Sequence, residues 1–600
     1  MLAEVAKRES TAQVSVQIDP WVGSTDPSAW FAHELMVEGL PSLRMFTRRP
    51  LPTFAQEDFP TLHVPGRKQL SMTIGTAAVS PASVEEVQLA RRWTYRLFWR
   101  MYGARMERDR ENFSYLFLPT GPWPDAEDWD GRRRWMQERV MSGLTEHGET
   151  PFLANAAAFG AAFSYPPNLA MVRGANKFDK PLRLLQWRSD PLTAEEEEKL
   201  REEYSAFPDL EITYPLMVVS SLPKRRNFLI PFIADGADYK DPARTDDVPF
   251  PLLPQYALVE LASGDEVQYT FLLPSILRWL AMALTVHSLR LGLLRRSRVS
   301  GVTLPLLVTA ITAPTAQERF HYQRLETLGD TVLKFITSNQ LYADFPLWHE
   351  GYLSRKKDHA VANVNLAKWA VTKGLYRWII RNRFVPRKWK PHYSVCDIDE
   401  ILDSGESTPL ASGAVTPAQG DGKDQKKRSA EDLSTKMLAD VVESLIGAAY
   451  EHGGFDLAID CAAAFDLGLT WKKLPEYVEA MHHVDDIDDI PEQLALVEQM
   501  IDYRFTRRTF LVQALTHASY QGECASMSLE RLEFLGDSAL DMVVVDYLYH
   551  AEGKDYSPGY MHIKKMAVVN SHILAYACLD RKSTRLNSSH SGESRMPSSA

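Results

Sequence analysis

Two stretches of this 600-residue chain decide its fold: RLETLGDTVLKF, Arg324 to Phe335, and RLEFLGDSALDM, Arg531 to Met542. Glu326 and Asp330 of the first become Glu533 and Asp537 of the second at an offset of 207 residues. The offset holds downstream, where AVANVN with Asn363 faces AVVNSH with Asn570. Upstream, Ala310 to Thr312 (AIT) resembles Ala514 to Thr516 (ALT) at an offset of 204. A constant offset with one length change implies two copies of one domain. In each copy the carboxylates are four residues apart, so on a helix they project from one face, one turn apart. Two like charges there repel, and a bound cation converts the repulsion into coordination. Gly329 and Gly536 lie inside these helices at a cost of roughly 1 kcal/mol each relative to alanine. Close approach by another helix or a ligand is a reason to keep them.

The first copy carries a further element, KMLADVVESLIGAAY, Lys436 to Tyr450. Asp440 and Glu443 share one helical face at i and i+3, and Leu438, Val441, Val442, Leu445 and Ile446 supply an apolar surface. Two helices facing each other with four carboxylates between them suit a hard divalent cation, Mg2+ or Mn2+. Such a site can activate water and stabilise a leaving oxygen in phosphodiester hydrolysis. Any one E-x-x-x-D or D-x-x-E is weak, since most are solvated helix faces; the duplicated R-L-E-x-L-G-D with A-D-x-x-E-S-L-I-G-A is far more specific.

These motifs resemble the ribonuclease III signature and that family's second acidic motif, and two such domains in one chain resemble Dicer, in overall style the fungal Dicer-like proteins. The resemblance implies an α+β multidomain chain: a mixed platform/PAZ-like N-terminal region followed by two all-α ribonuclease III domains, the second truncated. The expected boundaries are a platform-like region at 1–125, a degenerate PAZ-like region at 126–270 and a connector helix at 271–300. The first ribonuclease III domain is expected at 301–475, with a disordered Ser/Gly/Pro-rich insert at 403–431, and the second at 491–579. By motif matching, Glu326, Asp330, Asp440 and Glu443 form one metal centre, and Glu533 and Asp537 are half of another. Lys436 matches a lysine that precedes the second acidic motif in the family, which implies stabilisation of phosphate charge; a solvated lysine is the plainer reading. The implied reaction is metal-dependent cleavage of double-stranded RNA into short interfering RNAs for silencing, antiviral defence included, by an intramolecular pair of nuclease domains. The alternative is a catalytically incomplete double-stranded RNA-binding scaffold on the same fold.

Gln323 replaces the acid seen at Glu530, and Thr327 replaces Phe534, but neither position belongs to the quartet. The second copy shows no A-D-x-x-E of its own after Asn570. The chain there runs CLDRKSTRLNSSHSGESRMPSSA, and KSTRLNSSH, Lys582 to His590, reads like a translated sequencing adapter. Residues 580–600 are therefore expected to be an artefact.

Length suggests about four domains at roughly 150 residues each. With 45% hydrophobic and 24% charged residues, a sizeable core is available. Four scattered cysteines without a C-x-x-C pair argue against a zinc ribbon or disulfide framework and fit an intracellular, cytoplasmic or nuclear, setting. No secretory signal is evident at Met1. The apolar run near Ser275 to Leu294 is broken by Arg278, His287 and Arg290, which favours a buried helix over a membrane span. No G-x-x-x-x-G-K-[ST] occurs, so no ATP site is expected.

The net charge of −11 is unusual for an RNA binder, yet charge is local. RNRFVPRKWKPHY, Arg381 to Tyr393, offers Arg381, Arg383, Arg387, Lys388 and Lys390 as RNA contacts in the first nuclease domain, or as a solvated loop. A capping box at Ser83 and Glu86 opens a helix whose Arg91, Arg92, Arg96 and Arg100 form a basic face. TAEEEEKLREEY reads as an exposed helix capped at Thr193, YPLMVVSS and QYALVEL as strands, and Arg295, Arg296 and Arg298 as a basic end to the helix expected over Leu273 to Arg296. His482, His483 and DDIDD read as a polar linker rather than a metal site.

Overall fold

The computed structural model describes residues 29–64, 69–78, 81–102, 113–120, 153–156, 171–174, 182–207, 210–222, 225–231, 248–260, 264–389, 434–481, 492–520 and 528–590. The insert at 403–431, the His482–Asp489 stretch and Lys390 lie outside them. The chain divides into two compact units, one of residues 18–284 with 384–417, the other including 285–383 with 418–600.

The first unit holds two antiparallel sheets. Strands β1 (Phe31–Val37), β2 (Leu43–Thr47), β3 (Met72–Ile74) and β4 (Leu116–Pro119) form one, in the order β3-β1-β2-β4. Period-two alternation in FAHELMV buries Leu35 and Val37 on one face, as a half-covered strand requires. Helix α1 (Val84–Tyr102) covers this sheet. Ser83 caps it as the sequence predicts, its Oγ accepting from Glu86 N at 3.2 Å, while the Glu86 carboxylate pairs with Arg44. Val87, Ala90, Leu97 and Phe98 are buried, and Thr94 Oγ1 accepts from Phe117 N at 2.7 Å.

The second sheet joins β5 (Leu153–Asn155), β6 (Met171–Gly174), β7 (Leu182–Arg188), β8 (Leu216–Ser221), β9 (Phe250–Leu252) and β10 (Ala257–Glu260), ordered β5-β10-β6-β7-β8-β9. Strands β8 and β10 fall on the two expected stretches. Helix α2 (Ala194–Glu203) starts at Thr193, whose side chain and that of Glu196 cap each other's backbone. Leu200 and Tyr204 enter the core under β8.

Helix α3 (Gly264–Leu291) starts nine residues before the expected Leu273 and ends before Arg296. Pro274 lies inside it, and Asp265 and Glu266 occupy the first turn, where they complement the helix dipole. This helix is long and apolar enough to cross a membrane, but 78% of its most apolar window is buried inside the protein, which accounts for its composition.

The second unit is helical. It contains α4 (Leu304–Ile311), α5 (Gln323–Asp344), α6 (Glu350–Val361), α7 (Asn363–Thr372), α8 (Thr435–Phe465) and α9 (Leu474–Met481). These are followed by α10 (Leu494–Ile501), α11 (Thr509–Leu515), α12 (Glu530–Tyr549), α13 (Pro558–Val568) and α14 (Ser571–His590). The duplicated stretches are α5 and α12. Helix α8 is capped by Ser434, which accepts from Met437 N, and breaks at Gly453 and Gly454, whose backbones are not helical.

Helices α5 and α8 pack so closely that glycine is required at the crossing. A Cβ on Gly329 would collide with the Glu443 carbonyl oxygen and meet Gly447 N at 2.8 Å; one on Gly447 would collide with the Leu325 carbonyl oxygen. At Gly536, the counterpart of Gly329, a Cβ meets nothing within 4 Å.

Candidate metal centre

The α5–α8 crossing brings Glu326, Asp440 and Glu443 together, with one carboxylate oxygen from each lying within 4.8 Å of the others. Asp440 and Glu443 sit on adjacent turns of α8 and are 5% and 4% exposed. Leu325, Leu328, Leu438, Val441 and Val442 are buried on the same two helices.

Burial and mutual repulsion set the protonation of this cluster. Burial, then the negative charges of Asp330, Glu326 and Asp440, push the Glu443 carboxyl up to about 9. Burial and Asp440 raise Glu326 to about 7, against the pull of Lys436. A carboxylate-only donor set that repels itself this strongly fits a hard divalent cation, which removes both penalties at once.

Two cations already lean on the cluster. Lys436 Nζ donates to both oxygens of Asp440 at 2.8 Å and stands 4.0 Å from Glu326. Lys334 Nζ donates to Asp330 at 2.7 Å. Burial opposes the charge on Lys334, yet the Asp330 carboxylate holds its pKa above the ordinary value. Asp330 thus stands beside the trio, engaged by Lys334. Buried Tyr322 donates its hydroxyl to Asp440 at 3.2 Å.

Sequence reading missed Tyr322 and Lys334. Lys334 had a signal, since it lies at i+4 from Asp330. Tyr322 had none, because the repeat places Leu529 at its counterpart.

Glu533 and Asp537 are exposed on α12, and among the described residues no second pair of carboxylates is brought to them. Helix α12 instead pairs with α5. Arg531 donates to the carbonyl oxygens of Tyr342 (3.1 Å), Phe345 (2.9 Å) and Trp348. Phe534 is buried with Leu341 and Leu353, against Phe345 and Leu469.

The basic segment from Arg381 divides between the two units. Arg381 and Arg383 belong to the helical one; Arg387 and Lys388 belong to the mixed one, where Trp389 packs on Phe98 with ring centroids 5.5 Å apart. The segment, read in the sequence as part of the first nuclease domain, is divided by its contacts between the two units. The buried indole of Trp389 anchors its second half elsewhere.

The family model described as Ribonuclease III domain matches residues 323–454, and that described as Ribonuclease-III-like matches residues 508–587. Dicer-like protein 2 of Phaeosphaeria nodorum is 28% identical over 585 residues, 95% of this chain and 36% of that protein. Dicer-like protein 2-1 of Aspergillus niger is 30% identical over 514 residues, 84% of this chain and 31% of that protein. Dicer-like protein 2 of Aspergillus fumigatus is 38% identical over 283 residues, 46% of this chain and 18% of that protein. This chain therefore spans about a third of the length of the first two relatives. The solved structure of Dicer from Giardia intestinalis aligns over 90% of this chain and 71% of its own, at 16% identity and a TM-score of 0.33.

Proposed function

From a chain that carries two ribonuclease III domains and is a relative of the fungal Dicer-like proteins, we propose an endoribonuclease that cuts double-stranded RNA with a divalent metal, inside the cell. The observation that carries this reading is the convergence of Glu326, Asp440 and Glu443 within 4.8 Å. Bound there, Mg2+ or Mn2+ supplies activation of water and charge neutralisation at the cleaved phosphate. The protein's own part is placement. Glu326, Asp440 and Glu443 hold the ion, Tyr322 orients Asp440, and Lys334 fixes Asp330 at the edge of the cluster. Lys436, 66% exposed at its side chain, is free to turn from Asp440 toward an incoming phosphate.

Duplex RNA is read by shape, 2′-hydroxyls and phosphates, which suits a site without base-reading pockets. Short interfering RNAs for silencing, viral RNA among the substrates, are the products this reading assigns. One centre cuts one strand. With Glu533 and Asp537 lacking further carboxylates among the described residues, this chain by itself is expected to nick rather than to release duplexes. A non-catalytic scaffold is the second reading, favoured by the same exposed pair.

The test is cleavage of labelled duplex RNA in Mg2+ by the chain and by Glu326→Gln and Asp440→Asn, with melting curves beside each. Loss of at least about a hundredfold without a change in fold supports the assignment. Nicking that survives both substitutions refutes it, and an unsubstituted chain that binds duplex RNA but never cuts makes it a scaffold.

A further inference from the structure

Beyond α3 the chain makes a tight turn carrying Arg295, Arg296 and Arg298. In solution such a cluster would only add solubility; here it lines a cleft of about 680 Å3 with Lys373, at the end of α7, and Asp460 and Ala463, on the stretch of α8 beyond its glycine break. The carboxylate centre belongs to the other end of α8, before that break.

The cleft is held in shape before any ligand arrives. Leu294 and Val299, either side of the arginines, are fully buried. Ser297 Oγ accepts from Val299 N at 3.2 Å. Gly292 lets the Trp378 ring close against the turn: a Cβ there would meet it at 3.0 Å. The Trp378 indole N–H donates to Ser288 at 3.1 Å, and Arg298 Nε donates to Asp460 at 2.5 Å, tying the turn to α8.

That ion pair uses Asp460, the one carboxylate that lines the cleft among the described residues. The side chains of Arg295, Arg296 and Lys373 have no acidic partner among the described residues. Three uncompensated cations on a fixed wall, in a chain of net charge −11, repel one another until an anion joins them. Two guanidinium forks and one ammonium are the donors that phosphate oxygens match. The volume exceeds what a single phosphate fills.

We infer that this cleft is a second polyanion site, separate from the carboxylate centre, taking successive phosphate groups on Arg295, Arg296 and Lys373. Duplex RNA as the source of those phosphates rests on the function proposed above; the anion site itself does not.

The experiment uses the whole chain in EDTA, so that binding is read without cleavage. Duplex RNA affinity is followed by fluorescence anisotropy across a salt series. Melting temperature is followed with and without inorganic tripolyphosphate. For R295E/R296E the expectation is at least about tenfold weaker RNA binding and a salt slope smaller by about 2, while R295K/R296K retains most of both. Tripolyphosphate is expected to raise the melting temperature of the unsubstituted chain and not of R295E/R296E. Should the charge reversal disturb folding, Lys373→Gln, outside the turn, is expected to show the same losses in smaller measure. An arginine-dependent tripolyphosphate shift in a chain that binds no duplex RNA supports the cleft as a site for free oligophosphates and sinks the RNA source. RNA affinity, salt slope and tripolyphosphate shift all unchanged in R295E/R296E and Lys373→Gln overturn the inference.

Discussion

Arg324 and Arg531, 207 residues apart, make the same contact in opposite directions. Arg324 donates to the carbonyl oxygen of Tyr549 at 2.9 Å and lies over its ring at 4.8 Å; Arg531 donates to the carbonyl oxygen of Tyr342 at 3.1 Å and lies over its ring at 4.6 Å. Tyr342 and Tyr549 are themselves repeat counterparts. The two copies therefore meet about a pseudo-twofold axis, as an isologous dimer does, but within one chain.

The two arginines are not equal in surroundings. Arg531 engages three carbonyl oxygens, whereas Arg324 engages one and the exposed carboxylate of Asp555. Substituting Arg531→Ala strips partners from carbonyls at the copy interface and is expected to cost about 2–4 kcal/mol. Arg324→Ala is expected to cost less, because its ion pair is solvated. Arg531→Lys keeps the charge but not the fork and should recover only part of the loss. Urea unfolding of the three variants checks the order; equal losses for Arg324→Ala and Arg531→Ala would contradict it.

Phe534 breaks the symmetry. Its ring is 4% exposed among Leu341, Leu353, Phe345 and Leu469, with Lys357 over its face at 4.8 Å. The counterpart residue is Thr327, whose hydroxyl donates to the backbone of its own helix. Phe534→Ala is expected to destabilise by about 3–5 kcal/mol, and Thr327→Ala by under about 1 kcal/mol. Thermal unfolding monitored at α12 should show the first as loosened docking of the second copy. A Phe534→Ala chain that melts like the parent would mean that the copies are held by other contacts.

The repeat made this pairing legible in part. The constant offset gave the duplication, and i,i+4 geometry gave carboxylates on one face. Neither could say that the arginine of R-L-E faces the other copy, because a periodicity names a face and not its partner. The first turns of α3 are less legible, because Asp265, Glu266, Gln268 and Thr270 interrupt the apolar spacing ahead of Leu273. Trp389 is ambiguous in the sequence alone. In a run of basic residues it reads as an interleaved aromatic for nucleic acid, yet its ring serves as an anchor for the mixed unit.

Gly329 and Gly536 give a paired test of helix contact. At Gly329 a methyl group strikes the backbone of α8, which cannot move aside without dragging Asp440 and Glu443. Gly329→Ala should therefore cost about 3 kcal/mol or more and disperse the carboxylates. At Gly536 the methyl enters open space on an exposed helix face, so alanine should stabilise this chain by up to about 1 kcal/mol. Differential scanning calorimetry of both variants decides it, and a destabilising Gly536→Ala would show that something covers that face.

The carboxylate centre makes stability and metal affinity depend on pH in opposite senses. In the fold, Glu326 and Glu443 keep protons up to about 7 and about 9, whereas in the unfolded chain they release them near the ordinary 4.5. Between those limits the native state binds more protons than the unfolded state, so metal-free stability falls as pH rises from about 5 towards 9. Below that window both states are protonated and the effect vanishes. A divalent ion must displace the same protons, so its affinity climbs across the window and each ion bound near neutral pH releases about one to two protons. Calorimetric titration of Mn2+ in two buffers of different ionisation enthalpy measures that number directly. Glu443→Gln removes the more strongly held proton, so the variant should release fewer and lose most of its pH-dependent stability change above pH 7. Mn2+ binding with no proton release would mean that the ion sits outside the Glu326–Asp440–Glu443 cluster.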